Sequence, residues 1–157
     1  MSDAVRWMCE SDYEAVATLH KKCYPAEPKP SRTWFATRPT LVMVDADNDI
    51  IGMTSLSISM APTQELGQSN LWIAYGHGVC VEPSLRGRGL GLKLAERRHD
   101  VAREAGATFF IGQTWPGNHS MIRIFERQGL KQSGVIQRAY PFHQPPDDVG
   151  VLYTGDL

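Results

Sequence analysis

VCVEPSLRGRGLGLKLAERRHDVAR, residues 79–103, reads as a strand, a glycine-rich turn and a long helix. Val79, Cys80 and Val81 favour β-structure, and Pro83 ends the strand. Arg86-Gly87-Arg88-Gly89-Leu90-Gly91 can turn tightly and leave backbone N–H groups free. The helix is expected from Leu90 to Glu104, with Leu90, Leu94, Val101 and Ala105 as its buried stripe and Gly106 as its stop. Arg97-Arg98 reads as a solvated face of that helix, with a local basic patch as the sharper alternative. A helix that starts among free amides is suited to an anion, above all a phosphate.

Working outward, Leu71 to Val81 is the strand that leads into the turn. Its Gly76 and Gly78 point to a bulge or a close backbone approach. Before it, Leu41–Asp45 and Ile50–Ser59 form a hairpin around Asp47-Asn48-Asp49. Thr54, Leu56, Ile58 and Met60 alternate with Ser55, Ser57 and Ser59, an apolar face against a small polar one. Ala61 to Ser69 reads as a polar loop. Nearer the start, Val5–Cys9 is a strand, Ser11 or Asp12 can cap a helix carrying Ala15, Val16, Leu19 and Cys23, and Glu14 stands at the third position of a capping box started by Ser11. Pro25, Pro28 and Pro30 end that helix, and Ser31 caps a short second one through Trp34 and Phe35. After the long helix, Thr108–Gln113 is a strand buried on both faces. Trp115-Pro116-Gly117 turns, and Asn118 or Ser120 caps a helix through Phe125 that ends at Gly129. Val135–Phe142 and Val149–Thr154 are the last two strands. The order is mixed α/β, a central sheet with flanking helices. Its β–α–β unit should be parallel and right-handed, with a crevice at the carboxyl end of the fourth strand.

The 157 residues suit a single domain, 1–157, and 42% hydrophobic with 21% charged residues is a globular composition. A net charge of −1 gives no reason to expect a nucleic acid or an anionic membrane as partner. Cys9, Cys23 and Cys80 make an odd count without metal-ligand spacing and read as reduced thiols of a cytoplasmic protein. The first residues lack an apolar signal core, and no run has the length of a membrane span. His20, His99 and His143 are too scattered for a metal site.

Arg86-x-x-Gly89-x-Gly91 resembles the pyrophosphate signature of the GCN5-related N-acetyltransferases: Gln or Arg, two residues, Gly, one residue, then Gly or Ala. Four other stretches resemble that family in the same order: Arg6–Asp12 its opening strand and cap, Val79–Pro83 its fourth strand just before the loop, Asn118–Leu130 (NHSMIRIFERQGL) its second cofactor motif, and Asp147–Leu157 its closing strand. The resemblance implies a mixed sheet with splayed fourth and fifth strands, and acetyl-coenzyme A or another acyl-coenzyme A as co-substrate. Backbone groups of Val79 and Val81, flanking Cys80, would pair with the pantetheine amides. The amides of Arg86, Gly87, Arg88, Gly89, Leu90 and Gly91 would cradle the pyrophosphate, with the Arg88 side chain reaching a phosphate. Asn118 would contact the cofactor arm, or serve as a plain helix cap.

A primary amine has a pKa near 10.4, so at neutral pH only about one molecule in 2,500 can attack. A base near neutral pKa is useful, and a main-chain N–H on the fourth strand can stabilise the carbonyl oxygen. By strand parity Tyr75, His77, Val79 and Val81 share one face if no bulge intervenes. His77 is the first candidate base and Tyr75 a relay member or pocket wall. A structural histidine is the competing reading of His77. Glu82 and His119 rank lower, and Tyr140 and Tyr153 are aromatics that could approach the crevice or fill core. Much of the family has a Tyr on the helix after the fifth strand as proton donor; Phe125 stands there, cannot donate, and reads as a packing residue against the cofactor arm. Cys80 reads as a packed strand residue and not a nucleophile. The expected function is acetyl transfer to a primary amine of a small molecule or peptide, by direct attack. A catalytically inactive acyl-coenzyme A sensor and a transferase of another acyl group are the alternatives. Tyr24, Trp34, Phe35, Trp72, Tyr140 and Phe142, with Glu27 and Glu65, are candidate acceptor-wall residues, and a homodimer is compatible with the reading.

Overall fold

The structure is a computed structural model and describes residues 4–61 and 71–157. Residues 62–70, with Glu65 and most of the expected polar loop, lie outside it. Seven strands form one mixed sheet in the order β1-β2-β3-β4-β5-β7-β6. They are β1 Ala4–Trp7, β2 Thr40–Val44, β3 Ile50–Ala61, β4 Leu71–Val81, β5 Phe109–Thr114, β6 Lys131–Ile136 and β7 Gly150–Asp156. The helices are α1 Tyr13–Cys23, α2 Arg32–Ala36, α3 Leu90–Glu104 and α4 His119–Arg127. This is the element order read from the sequence, and α3 has the expected bounds. The chain packs into two compact units: Met1–Ser55 with Gly78–Arg98, and Leu56–His77 with His99–Leu157.

In the first unit β1 and β3 both pair antiparallel with β2. The hairpin turns where expected, with Asn48 at φ 66° and the Asp45 carboxylate accepting from the amides of Asp47 and Asp49. Val16, Ala17, Leu19 and Phe35 bury one side of this sheet with Val42, Val44, Met53 and Cys80. Met43, Ile51, Val81 and Leu94 form the core on α3. Of the two expected caps, Ser11 and Asp12, it is Asp12 that stands at the head of α1. A short 3-10 turn, Glu10–Asp12, precedes α1, and the amide of Cys9 donates to the Asp12 carboxylate at 2.8 Å. Arg6 donates to the same carboxylate at 2.6 and 3.0 Å. A carboxylate takes a backbone amide and a guanidinium together, an arrangement a Ser11–Glu14 box cannot offer. Ser31 caps α2 as read, accepting from the amide of Trp34.

The cysteines correct the sequence reading. Cys23 and Cys80 are joined in a disulfide, and Cys9 alone is a free, exposed thiol. The odd count concealed a pair because Cys23 ends α1 while Cys80 lies far along the chain, and only packing of α1 on β4 brings them together. Closing a loop with a sequence separation of 57 restricts the unfolded chain by about 4 kcal/mol in the chain-entropy model.

The stripe of α3 is also corrected. Leu94, Ala95, Arg98, His99, Val101 and Ala102 are buried, while Ala105 is exposed. Arg98 is not a solvated residue at all: it is 1% exposed.

In the second unit β4 pairs parallel with β5, Ile73 to Gly76 against Phe109 to Gly112. β7 pairs antiparallel with both β5 and β6. Every residue of β5 is buried or half-buried, as its apolar run implies. β6 starts directly after Leu130 and ends at Ile136. Of the expected strand Val135–Phe142 only Val135 and Ile136 are strand; residues 137–142 are turn and loop, with Arg138 at φ 53°. Its β-favouring residues were misleading because Trp115, Tyr140 and His143 pack ring on ring and hold that segment as a loop.

Arg6 holds the Asp12 carboxyl well below the usual carboxylate range. The contribution is therefore complete above the ordinary aspartate pKa near 3.9 and drains away as pH falls below it. Asp12→Ala is expected to cost about 1–3 kcal/mol at pH 7 and only modestly less at pH 3, where the carboxyl held by Arg6 is still ionised in the folded chain, in denaturant melts at the two pH values.

Candidate active site

The first unit contains the turn. Gly87 and Gly89 have φ of 82° and 79°, the left-handed region, and no atom lies within 4 Å of where a Cβ would stand on either. The turn is glycine-rich for backbone conformation and for an open approach, and not for packing. Lys93 N–H donates to the Gly89 carbonyl, which starts α3 at the turn. Leu85 and Leu90 anchor its two ends against the α3 core. The Arg86 Nε donates to the Val81 carbonyl at 3.2 Å, so this side chain folds back on the strand. Arg88 is exposed. A backbone cradle of this kind fits a pyrophosphate: amides at a helix start, and room where side chains would stand.

Strand β4 is regular only up to Gly78, which has φ 60°. Strand parity therefore does not carry across this residue, and the single face expected for Tyr75, His77, Val79 and Val81 is interrupted. Beyond it, Val81 packs with Leu94 and Met43, while Cys80 points to α1 and its disulfide. The Cys80 sulfur is thus committed to Cys23, and only the backbone of Cys80 is available to a ligand. The Gly78 carbonyl accepts from Thr54 Oγ1 at 2.7 Å and from Arg98 Nη1 at 3.3 Å, and Arg98 Nη1 also donates to Thr54 Oγ1 at 3.0 Å. The Val79 carbonyl accepts from the Tyr24 hydroxyl at 3.2 Å. Carbonyl oxygens carry two lone pairs, so Val79 and Val81 each retain one for a ligand amide.

Beside Tyr24 lies a cluster from α1 and α2. The His20 ring is 4.7 Å from Tyr24 and 5.4 Å from Trp34, and its Nε2 is 4.0 Å from the Glu27 carboxylate. Burial pushes the His20 pKa down to about 4. The imidazole is neutral at pH 7, and its contact with Glu27 is not an ion pair there.

The second unit holds the other candidates. His77 Nε2 and Ser57 Oγ share a hydrogen bond of 2.8 Å, and both His77 and Tyr75 are half-buried. Asn118 is the α4 N-cap: its side-chain oxygen accepts from Met121 N–H, and its Nδ2 donates to Thr114 Oγ1 at 2.9 Å. Phe125 is 2% exposed and stacks on Tyr153, with ring centroids 5.2 Å apart. Burial raises the Tyr153 phenol pKa, helped by the nearby Glu126. A Cβ on Gly112 would lie 2.5 Å from the Phe125 ring, so this glycine exists to seat the ring. His119 is exposed. Glu82 pairs with Lys22 at 3.0 Å and starts the turn Pro83–Leu85.

Sequence reasoning passed over Thr54 and Arg98. One signal was present: Arg98 follows Leu94 by four residues and Leu90 by eight and precedes Val101 by three, which places it on the apolar stripe. A burial of that kind could be read only with an acceptor in sight.

Gly112→Ala is expected to destabilise the chain by about 1–3 kcal/mol through overpacking. Adding Phe125→Leu should recover part of the loss in a thermal melt, since the shorter side chain vacates the ring's place.

No helix among the described residues is long and apolar enough to cross a membrane, and no group of three or more His, Cys, Asp or Glu there could hold a metal. Solved structures share the fold. One of Arabidopsis thaliana NAA60 with acetyl-CoA has TM-score 0.82 at 14% identity, covering 99% of both chains. A chain of the NatC complex bound to Gag peptide and CoA has TM-score 0.79 at 17% identity, covering 100% of this chain and 99% of its own. In sequence, the chain is 32% identical over 101 residues to streptothricin acetyltransferase of Streptomyces lavendulae, covering 64% of this chain and 49% of that protein. The match thus spans about half of that relative's length. The profile of the Acetyltransferase (GNAT) family matches residues 4–130. With the Arg86–Gly91 turn at the head of α3 and that match over most of its length, the chain belongs to the GNAT acetyltransferase family.

Proposed function

We propose that this protein is an acetyl-coenzyme A-dependent N-acetyltransferase acting on a primary amine of a small molecule or peptide. The observation that carries the reading is the Arg86–Gly91 turn, whose two left-handed glycines leave an open backbone cradle at the start of α3. Family membership, the NAA60 structure with acetyl-CoA and the streptothricin acetyltransferase relative support it. When bound, the co-substrate supplies a thioester carbonyl for direct attack by the amine, with the coenzyme A thiolate leaving.

The chain's own groups divide the remaining work. Amides of Arg86 to Gly91 hold the pyrophosphate, and Arg88 adds an exposed cation. Backbone groups of Val79 and Val81 hold the pantetheine arm. His77, with Ser57 on its Nε2, takes the proton from the amine; Tyr75 stands two residues away on the same strand. Phe125 fills space on Gly112 and Tyr153 and has no proton to give. The whole chain, 1–157, acts as one catalytic domain, and the aromatic cluster of His20, Tyr24 and Trp34 is part of the acceptor wall.

Thiol release from acetyl-CoA across a panel of primary amines tests the reading. Release with at least one amine is expected. Tight coenzyme A binding with no amine-dependent release would instead mark a binding module. In the same assay Gly89→Val should lower coenzyme A affinity at least about tenfold, because a β-branched residue cannot hold a left-handed φ without strain. Unchanged affinity would remove the pyrophosphate assignment.

His77→Ala should slow transfer most at mildly acidic to neutral pH, where the amine is protonated and needs a base. The deficit should shrink as pH approaches the amine's own pKa. A pH–rate profile parallel to the parent's would rule out His77 as the base.

A further inference from the structure

Arg98 is a guanidinium buried in the first unit, where placing a charge is costly unless it is well engaged. Its engagement is specific. Arg98 Nη1 donates to Thr54 Oγ1 at 3.0 Å and to the Gly78 carbonyl at 3.3 Å, and Thr54 Oγ1 donates to that carbonyl at 2.7 Å. Cation and hydroxyl form a chain of donors that both run toward one carbonyl oxygen. Burial pulls the Arg98 pKa down to about 10, so the group remains charged at neutral pH.

The oxygen belongs to the peptide joining Gly78 and Val79. Pro145-Pro146 is the cis bond of the described residues, so this peptide is trans. In a trans peptide the carbonyl and the following N–H point in opposite directions. With the carbonyl turned to Thr54 and Arg98, the N–H of Val79 is turned away from both. Hydrogen bonds into a peptide oxygen polarise the group and make its N–H a stronger donor. On the other side of Val79 the Tyr24 hydroxyl holds the next carbonyl at 3.2 Å. Both peptides flanking the Val79 Cα are therefore fastened by side chains, at the one place where β4 has a left-handed residue.

We propose that Arg98 and Thr54 are positioning residues that orient and polarise the Gly78–Val79 peptide, so that the Val79 N–H is the donor for negative charge developing on the thioester oxygen. The inference rests on the acetyltransferase reading above. Neither side chain touches the substrate. They act through a backbone group, which is why a purely apolar residue on this stripe of α3 would not serve.

The test uses Thr54→Val, which removes the hydroxyl at constant shape, with Arg98→Met and Arg98→Lys. Three quantities are read: kcat and KM for acetyl-CoA, coenzyme A affinity by calorimetry, and the Val79 amide proton shift in the ligand-free protein. Thr54→Val should lower kcat about tenfold, a fraction of the loss seen when an oxyanion donor is removed outright. Its coenzyme A affinity should stay within about twofold of the parent's, because the same backbone still binds the arm. The Val79 amide resonance should move upfield in Thr54→Val and further in Arg98→Met, and return toward the parent's position in Arg98→Lys. If Arg98→Met does not fold, Thr54→Val and Arg98→Lys decide. A folded Thr54→Val with the parent's kcat overturns the proposal. So does a kcat loss matched by an equal loss of coenzyme A affinity, or a kcat loss with an unmoved Val79 resonance. A parent that transfers to no amine overturns the acetyltransferase reading itself, a result distinct from an active parent with an indifferent Thr54→Val.

Discussion

The structure turns on the Gly78 carbonyl and the donors that hold it. For the proposed acetyl transfer, strand β4 must stay in a sheet and also present backbone groups to the co-substrate, and an unbroken ladder cannot do both. Gly78 meets the conflict with a left-handed φ that an L side chain resists. The interruption leaves a polar oxygen to be satisfied inside the protein, and an unsatisfied one would cost about 1–3 kcal/mol. Thr54 and Arg98 satisfy it. A buried arginine on α3, a threonine on β3 and a glycine on β4 are one solution to one problem.

The same strand explains the ties around it. Cys80 is bonded to Cys23 at the end of α1, and the next residue of that segment, Tyr24, donates to the Val79 carbonyl. Arg86 returns from the glycine turn to the Val81 carbonyl. A strand edge that departs from its ladder loses hydrogen bonds. Here side chains from α1 and from the turn supply donors in their place, and each carbonyl retains a lone pair. Preorganisation of this kind matters for catalysis, since donors that are already held in place need not reorganise as charge develops.

Much of the fold was legible because it rests on local rules. The order of strands and helices, the bounds of α3, the Asp47–Asp49 turn, the Ser31 cap and the stop at Gly129 follow from periodicity, turn chemistry and capping, which act over a few residues. The β6 boundary was not legible, because Val135 to Phe142 has strand composition while ring packing of Trp115, Tyr140 and His143 decides its conformation. At the start of α1 the sequence offers both Ser11 and Asp12 as caps, and the Arg6 guanidinium, six residues before Asp12, decides for Asp12.

By itself the sequence determined the glycine cradle, since left-handed φ values in a turn before a helix are properties of Gly87 and Gly89 and their neighbours. It also determined that Phe125 has no proton to donate, which is a matter of side-chain chemistry alone. Tertiary structure decided the disulfide, the burial of Arg98 and the partners that hold the break at Gly78. Each of these depends on groups distant in sequence meeting at a fixed separation: Cys23 with Cys80, Arg98 with Thr54 and Gly78. A charged residue on an apolar stripe is read as solvated until its acceptor is found. That acceptor is a backbone oxygen, which every residue carries and no sequence pattern marks.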